Sequence, residues 1–234
     1  MRSAALARAL VSGVRDLEAF ALPQRCPGCG RPASPDRLLC GPCFERIPAL
    51  SFALCVRCLV RGGEPVGCSR HPQAVVWPAL VYDERAALLV HALKYGGRPG
   101  LADALAERLA PALPAGLGAD LVTAVPLHPA RRRERGYNQA WGLAQGLAGR
   151  LGLPAVEGLL ARVRHTPAQA RLDPARRRRN LAGAFRVAEP QRYRGRRVLI
   201  VDDVLTTGAT LEACLAALAG AGARPVGAVL AWAQ

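Results

Sequence analysis

The chain is poor in lysine and has no long apolar segment. Lys94 is the single lysine among 32 basic residues, a bias typical of a GC-rich genome as much as of selection for guanidinium chemistry. No run of about eighteen apolar residues is free of charge, proline or glycine, which excludes a transmembrane helix. Residues 1–22 contain neither an uninterrupted apolar core nor a small-residue cleavage site. No signal peptide is therefore predicted, and we expect a cytoplasmic protein.

Length, hydrophobic content and net charge limit the class of protein further. A chain of 234 residues has room for one ordinary domain plus a small one, or for two modest domains, and 51% hydrophobic residues exclude intrinsic disorder of the whole. The 32 basic residues outnumber the 17 acidic ones, giving a net charge of +15. Such an excess favours polyanionic partners: nucleic acid, anionic membrane or phosphorylated small molecules.

Residues 1–24 are predicted to form an amphipathic helix. Their apolar residues recur at spacings of three and four, namely Leu6, Leu10, Val14, Leu17 and Ala21. Such a helix covers part of a core or attaches to a membrane surface, and the first interpretation is the ordinary one.

Seven of the eight cysteines lie in residues 26–68 and are spaced as pairs of metal ligands. The pairs, each separated by two residues, are Cys26 with Cys29, Cys40 with Cys43, Cys55 with Cys58, and Cys68 with His71. A turn of this length aims both side chains at one tetrahedral centre. A disulfide framework is the alternative, and a reducing compartment disfavours it. His71 is the weakest predicted ligand, because a lone exposed histidine would look the same.

We therefore predict a double zinc-knuckle module over residues 25–75, with one or two structural zinc ions. If the pairs combine in chain order, one site has four cysteines and the other has three cysteines and a histidine; the spacing also permits interleaved pairs. A site closed by four ligands leaves no position for substrate, so the metal would be structural. Each site would contribute on the order of 10 kcal/mol to folding.

Residues 76–234 are predicted to form an α/β domain. Apolar strands are expected at residues 75–82, 121–125, 198–201 and 226–232. Helical periodicity is expected between them, at residues 88–93, 101–113, 137–151 and 209–221. Short buried strands that alternate with helices imply a parallel sheet covered on both faces.

Residues 198–210 are the most informative segment. A buried strand leads to two adjacent carboxylates, Asp202 and Asp203 (the acidic pair), where open α/β sheets bind ligands. These carboxylates suit a cis-diol and the Mg²⁺ that accompanies it. The following turn, which opens a helix, has the N–H groups, hydroxyls and helix dipole that hold a dianionic phosphate. The residues of this threonine turn are Thr206, Thr207, Gly208, Ala209 and Thr210.

The segment lacks the G-x-x-x-x-G-K and G-x-G-x-x-G patterns, which excludes a Walker loop and a dinucleotide fingerprint. It resembles the signature of type I phosphoribosyltransferases, which bind phosphoribosyl pyrophosphate (PRPP). The resemblance implies that the acidic pair binds the ribose hydroxyls and forms the catalytic residues, and that the threonine turn binds the 5′-phosphate. Val125, Pro126 and Leu127 would bind pyrophosphate, and residues 162–185 would form a hood over PRPP. A decayed site that no longer binds PRPP is the alternative.

The arginines are concentrated in the same part of the chain. Residues 128–197 contain 17 arginines and four acidic residues. Guanidinium groups suit the phosphates of PRPP and of DNA alike. We predict DNA binding by two clusters, Arg131, Arg132, Arg133 and Arg135, and Arg176, Arg177, Arg178 and Arg179. Interleaved aromatic residues would stack on bases or belong to the core: Tyr137, Trp141, Phe185 and Tyr193.

Together the motifs VPLH, RGYNQ, TPAQ, RRRRNLAGAF and VLIVDDVLTTGAT, behind paired cysteine turns, resemble the ComF family of bacterial competence proteins. The chain departs from that family at His71, where relatives usually have cysteine. The resemblance implies a role in moving single-stranded DNA across the inner membrane beside a helicase-like partner, without spanning the membrane.

Three functions stay open at this point. The first is a DNA-handling competence factor with a PRPP site. The second is an active phosphoribosyltransferase that transfers the sugar to an unknown nitrogen acceptor, although no base-recognition pocket can be identified. The third is an adaptor whose zinc module docks a helicase.

Overall fold

The computed structural model describes residues 25–33, 38–61, 68–96, 99–164 and 174–234. The predicted helix of residues 1–24 lies outside this part of the chain. So do Thr166 and Gln169 of the predicted hood and the side chain of Arg177.

Seven strands form in the described residues, in two sheets. Their bounds are β1 (Leu54–Cys55), β2 (Val75–Val81), β3 (Leu121–Ala124), β4 (Leu160–Arg162), β5 (Phe185–Val187), β6 (Arg197–Leu205) and β7 (Arg224–Trp232). The main sheet has the order β1-β2-β7-β6-β3, and its last four strands run parallel. The antiparallel pair β4 and β5 forms the second sheet. The predicted α/β fold with a parallel sheet is thus confirmed.

Seven α-helices of the described residues connect and cover these strands: α1 (Gly41–Glu45), α2 (Glu84–Tyr95), α3 (Pro99–Leu109), α4 (Pro129–Arg135), α5 (Gln139–Leu151), α6 (Pro174–Leu181) and α7 (Ala209–Gly220). Short 3₁₀ helices lie at Ala110–Ala112 and Pro190–Tyr193. The side chain of Asp83 caps α2 by accepting from the N–H of Ala86 at 2.8 Å. No helix among them is long and apolar enough to cross a membrane.

The sheet separates two cores. Successive side chains of a strand point to opposite faces, so Leu199 and Val201 of β6 lie in one core and Val198 and Ile200 in the other. On the first face the strands pack against α2, α3 and α5. On the second face they pack against α7 and residues 159–164 and 174–187, which contain β4, α6 and β5 and are called the hood segment below.

The cysteine-rich residues are continuous with this architecture. β1 comes from the predicted zinc module, yet it pairs with β2 as the edge strand of the main sheet, with Leu54 opposite Val76. The division into residues 25–75 and 76–234 stays a prediction, and the two parts share both cores.

Candidate functional site

Two predicted anion-binding segments lie at the same edge of the sheet. β3 and β6 are neighbours, with Ala124 opposite Val201, and the N–H of Val125 donates to the carbonyl of Val201 at 2.9 Å. Val125 is buried, while Pro126 and Leu127 are half-buried and line a cavity of about 60 Å³. The predicted pyrophosphate segment therefore begins beside the acidic pair.

Asn138 holds this segment in place. Its Oδ1 caps α5 by accepting from the N–H of Ala140 at 3.1 Å, and its Nδ2 donates to the carbonyl of Val125 at 3.0 Å. His128 caps α4 in a similar way, since its Nδ1 accepts from the N–H of Ala130 at 3.2 Å. Both caps fix the chain on either side of the arginine-rich α4.

The acidic pair lies inside β6 and not after its end, because β7 is long enough to pair with it as far as Trp232. The strand was predicted to end at Val201 and it continues to Leu205. The Oδ1 of Asp202 accepts from the N–H of Asp203 at 2.9 Å, and the Oδ1 of Asp203 accepts from the next N–H at 2.7 Å. Both carboxylates are half-buried at the carboxyl edge of the sheet.

Lys94 is the cation of the acidic pair. Its Nζ lies 3.0 Å from the Oδ2 of Asp203, and their side chains are 25% and 13% exposed. Burial, followed by the neighbouring Asp203 carboxylate, raises the pKa of Asp202 to about 8. The raised pKa favours the protonated form of Asp202 at neutral pH, and a cation beside it would favour the ionised form.

The threonine turn connects β6 to α7. Gly208 has φ of +75°, a conformation that glycine adopts without strain, and α7 starts at Ala209. A cavity of about 50 Å³ is lined by Asp202 and by every residue of the turn. The first N–H groups of a helix point out of its N-terminus, and the N-terminus of α7 lies at this cavity. The arrangement therefore suits an anion.

A second feature of Gly208 is its contact with the cysteine-rich region. A β-carbon added at Gly208 would overlap the carbonyl oxygen of Val56. Val56 lies between Cys55 and Cys58 in the knuckle, so that knuckle touches the threonine turn directly.

Arg178 of α6 joins the hood segment to the same place. Its Nε lies 2.9 Å from the Oε2 of Glu212, and its Nη2 donates to the carbonyls of Arg57 at 2.8 Å and Thr207 at 3.2 Å. Glu212 also pairs with the Nε of Arg57 at 3.3 Å.

The other predicted DNA-binding arginines lie mainly at the surface. On α4, Arg132 pairs with Glu157 at 3.0 Å and Arg135 donates to the hydroxyl of Tyr95 at 3.1 Å. Of the other described members, Arg131 is half-buried. Three are exposed: Arg133, Arg176 and Arg179.

The interleaved aromatic residues differ in how deeply they are buried. Phe185 and Tyr193 are buried in the second core, so neither side chain offers a face for base stacking. Trp141 packs against the first core, and Tyr137 donates its hydroxyl to the carbonyl of Leu93. The core interpretation is confirmed for Phe185, and it extends to Tyr193.

The cysteine pairs combine in chain order. Cys26, Cys29, Cys40 and Cys43 form the first cysteine cluster, and their Sγ atoms lie within 4.8 Å of one another. The Sγ atoms of Cys29 and Cys40 are 3.5 Å apart, close to the roughly 3.8 Å between sulfurs around a tetrahedral metal ion. The N–H of Arg31 is the main cause that lowers the pKa of Cys29, which favours the thiolate that binds metal.

Cys55, Cys58, Cys68 and His71 form the second cysteine cluster, again within 4.8 Å. The Nδ1 of His71 faces the sulfurs at 3.3 Å from Cys58 and 3.7 Å from both Cys55 and Cys68. The N–H of Arg70, with help from His71, lowers the pKa of Cys68 to about 6. Both clusters can therefore hold a metal ion, and His71 lies where a fourth ligand of the second cluster is required.

Sequence reasoning missed four residues of the site. Lys94 carried a signal, since it is the only lysine of the chain. Val56, Arg57 and Glu212 carried none, because their contacts join segments about 150 residues apart.

Comparison with known proteins gives one domain match and several relatives. The phosphoribosyl transferase domain family matches residues 139–234. The DNA utilization protein YhgH of Salmonella typhimurium is 35% identical over 212 residues, 85% of this chain and 81% of that protein. The protein of the same name in Escherichia coli (strain K12) is 33% identical over 196 residues, 80% of this chain and 74% of that protein. Competence protein F of Haemophilus influenzae is 43% identical over 94 residues, 40% of this chain and 41% of that protein.

One solved structure with some similarity is the glutamine PRPP amidotransferase from B. subtilis complexed with ADP and GMP. It is 24% identical, with a TM-score of 0.40 over 60% of this chain and 30% of that chain.

Proposed function

The chain belongs to the ComF family, and from this premise we propose that it binds PRPP at the carboxyl edge of β6 and handles single-stranded DNA during natural transformation. The observation that carries the proposal is the meeting of three features at one sheet edge: the acidic pair, the threonine turn and the segment from Val125. Each supplies the chemistry that one part of PRPP requires.

In this proposal the acidic pair binds the ribose hydroxyls and the Mg²⁺ of Mg·PRPP. The threonine turn, with the N-terminus of α7, binds the 5′-phosphate, and Val125, Pro126 and Leu127 bind the pyrophosphate. The neighbouring divalent ion would favour ionised Asp202, so ligand binding would release the proton that burial retains there.

We assign zinc to both cysteine clusters, as structural ions. The four-ligand sets are closed and rich in thiolate, which is the donor set that zinc prefers. Each set would keep its knuckles folded.

The DNA part of the proposal is supported by charge and by kinship. The arginines of α4 and α6 follow and flank the PRPP segments, and the relatives are named for DNA utilization and competence. We place the protein on the cytoplasmic side of the membrane, where single-stranded DNA enters and where a helicase-like partner would act.

A titration of Mg·PRPP into the purified holoprotein tests the PRPP site. We expect binding that is lost in the variant Asp202→Asn/Asp203→Asn and kept in Glu189→Gln, which removes an exposed carboxylate elsewhere. Unchanged affinity in the double variant would contradict the proposed site. In parallel, binding of labelled single-stranded DNA should weaken with salt, with a log–log slope of about −0.7 per phosphate contacted.

Turnover of PRPP is a second candidate function. It is favoured because the pyrophosphate segment and the ribose-binding acids are adjacent, which would leave C1 between them for attack by a nitrogen nucleophile. Release of pyrophosphate in the presence of a panel of amines and nucleobases, abolished in the same double variant, would establish it. Absence of release with every acceptor, together with intact PRPP binding, would leave binding as the function.

A further inference from the structure

We infer that Arg178 and the knuckle between Cys55 and Cys58 form a brace that positions the threonine turn for phosphate binding. The brace consists of Val56, Arg57, Arg178 and Glu212. The inference rests on the proposed function, because it assumes that the turn binds the 5′-phosphate of PRPP.

The first contact of the brace is between two backbones. The carbonyl oxygen of Val56 occupies the space that a side chain at Gly208 would need. The turn therefore closes against the knuckle between Cys55 and Cys58, and the conformation of that knuckle limits how the turn can move. A metal ion that fixes Cys55 and Cys58 would fix Val56 with them.

The second contact is made by Arg178. This single guanidinium group donates to the carbonyls of Arg57 and Thr207 and pairs with Glu212, so it joins the knuckle, the turn and α7. The side chains of Arg178 and Glu212 are only 30% and 21% exposed, which strengthens charge-assisted hydrogen bonds relative to those at the open surface.

Arg178 thus differs in role from the other arginines of α6. Arg176 and Arg179 lie exposed on the same short helix. Because Arg178 acts through the carbonyl of Thr207, it is a positioning residue for a phosphate that the turn holds. Its loss should affect ligands that carry the sugar 5′-phosphate and spare those that bind only at Val125, Pro126 and Leu127.

The test compares two halves of PRPP by calorimetry, with Mg²⁺ and the full holoprotein: ribose 5-phosphate and inorganic pyrophosphate. In Arg178→Gln, we expect the affinity for ribose 5-phosphate to fall about tenfold or more, since charged hydrogen bonds are lost, and the affinity for pyrophosphate to stay within about twofold. Glu212→Gln, which keeps both bonds from Arg178 to carbonyls, should give a smaller loss in the same direction. Arg192→Gln, at the exposed Arg192–Glu189 pair, is the matched control.

Two results would overturn the brace while leaving the proposed function intact: unchanged ribose 5-phosphate affinity in Arg178→Gln, or equal loss for both ligands. If the wild-type protein binds neither ligand nor PRPP, the proposed function itself fails and the brace fails with it.

Discussion

The two cysteine clusters share a ligand spacing and differ in what surrounds them. In the first cluster, Cys26 and Cys43 are 1% and 3% exposed and pack in the core of the first face, with Phe44 and Ile47. In the second cluster, Cys58 and His71 are half-buried, and the knuckle between Cys55 and Cys58 touches the threonine turn. The first cluster thus has three ligands buried in a core, whereas the knuckle of the second lies against the proposed phosphate-binding turn.

The difference indicates that the role of a metal knuckle depends on the residues that pack around it. Spacing alone predicts tetrahedral coordination, and both clusters satisfy it. The first cluster should act chiefly on global stability, because three of its four ligands, Cys26, Cys40 and Cys43, are core residues. The second should act chiefly on phosphate binding, because it fixes the position of Val56.

The largest expected effect is on stability. Loss of a metal site in Cys43→Ser should lower the melting temperature more than loss in Cys58→Ser, because both variants lose a metal ion worth on the order of 10 kcal/mol and Cys43→Ser also alters a core residue. Calorimetric melting, with metal content measured by emission spectroscopy, checks this. A Cys58→Ser variant that melts as low as Cys43→Ser would remove the distinction between the clusters.

The second prediction concerns ligand affinity, for which the second cluster should matter more than the first. Cys58→Ser should weaken Mg·PRPP binding about tenfold, or about 1.4 kcal/mol, while Cys29→Ser should leave it within about twofold. The reason is that the knuckle between Cys55 and Cys58 contacts the turn through Val56. Both variants must lose one equivalent of metal for the comparison to hold, and equal weakening in both would contradict it.

Much of this arrangement can be predicted from the sequence, for physical reasons. Buried parallel strands are continuous apolar runs, so residues 198–201 identified β6, an interior strand of the sheet. The threonine turn and the cysteine pairs are local motifs whose chemistry depends on adjacent residues. The acidic pair was predicted at the carboxyl edge of the sheet. It lies near that edge, although β6 continues past it through pairing with β7.

What could not be predicted depends on contacts between distant segments. The order in which cysteine pairs combine is a property of the folded chain. Four consecutive arginines give α6 no apolar stripe, so nothing in the pattern indicates that Arg178 turns inward. The contact of Val56 with Gly208 likewise exists only once β1 has joined the sheet.

A third prediction separates the arginines of α6 by role. The variant Arg176→Ala/Arg179→Ala should bind Mg·PRPP normally and lower the salt slope of single-stranded DNA binding by about 1.4, which corresponds to two phosphate contacts. Fluorescence anisotropy at several salt concentrations measures the slope, and Arg131→Ala/Arg133→Ala tests α4 in the same way. An unchanged slope would remove that helix from the DNA site.

A further prediction concerns pH, and it tests the acidic pair independently of both clusters. The folded protein holds a proton on Asp202 up to about pH 8, whereas an ordinary aspartate releases it near pH 4. Stability from this group is therefore present at low pH and is lost as the pH rises through that window. Asp202→Asn should make the melting temperature less dependent on pH between about 5 and 8. Lys94 moderates the effect, and an identical pH profile would contradict it.

Hydrogen exchange of the backbone amides, with and without Mg·PRPP, tests the central claim most directly. Peptides that cover residues 125–128 and 206–210 should exchange more slowly when the ligand is present, and Cys58→Ser should weaken the protection at residues 206–210 alone. Residues 26–43 of the first cluster should be unaffected in both proteins. If ligand slows exchange at neither segment, the sheet edge of β6 is not the PRPP site.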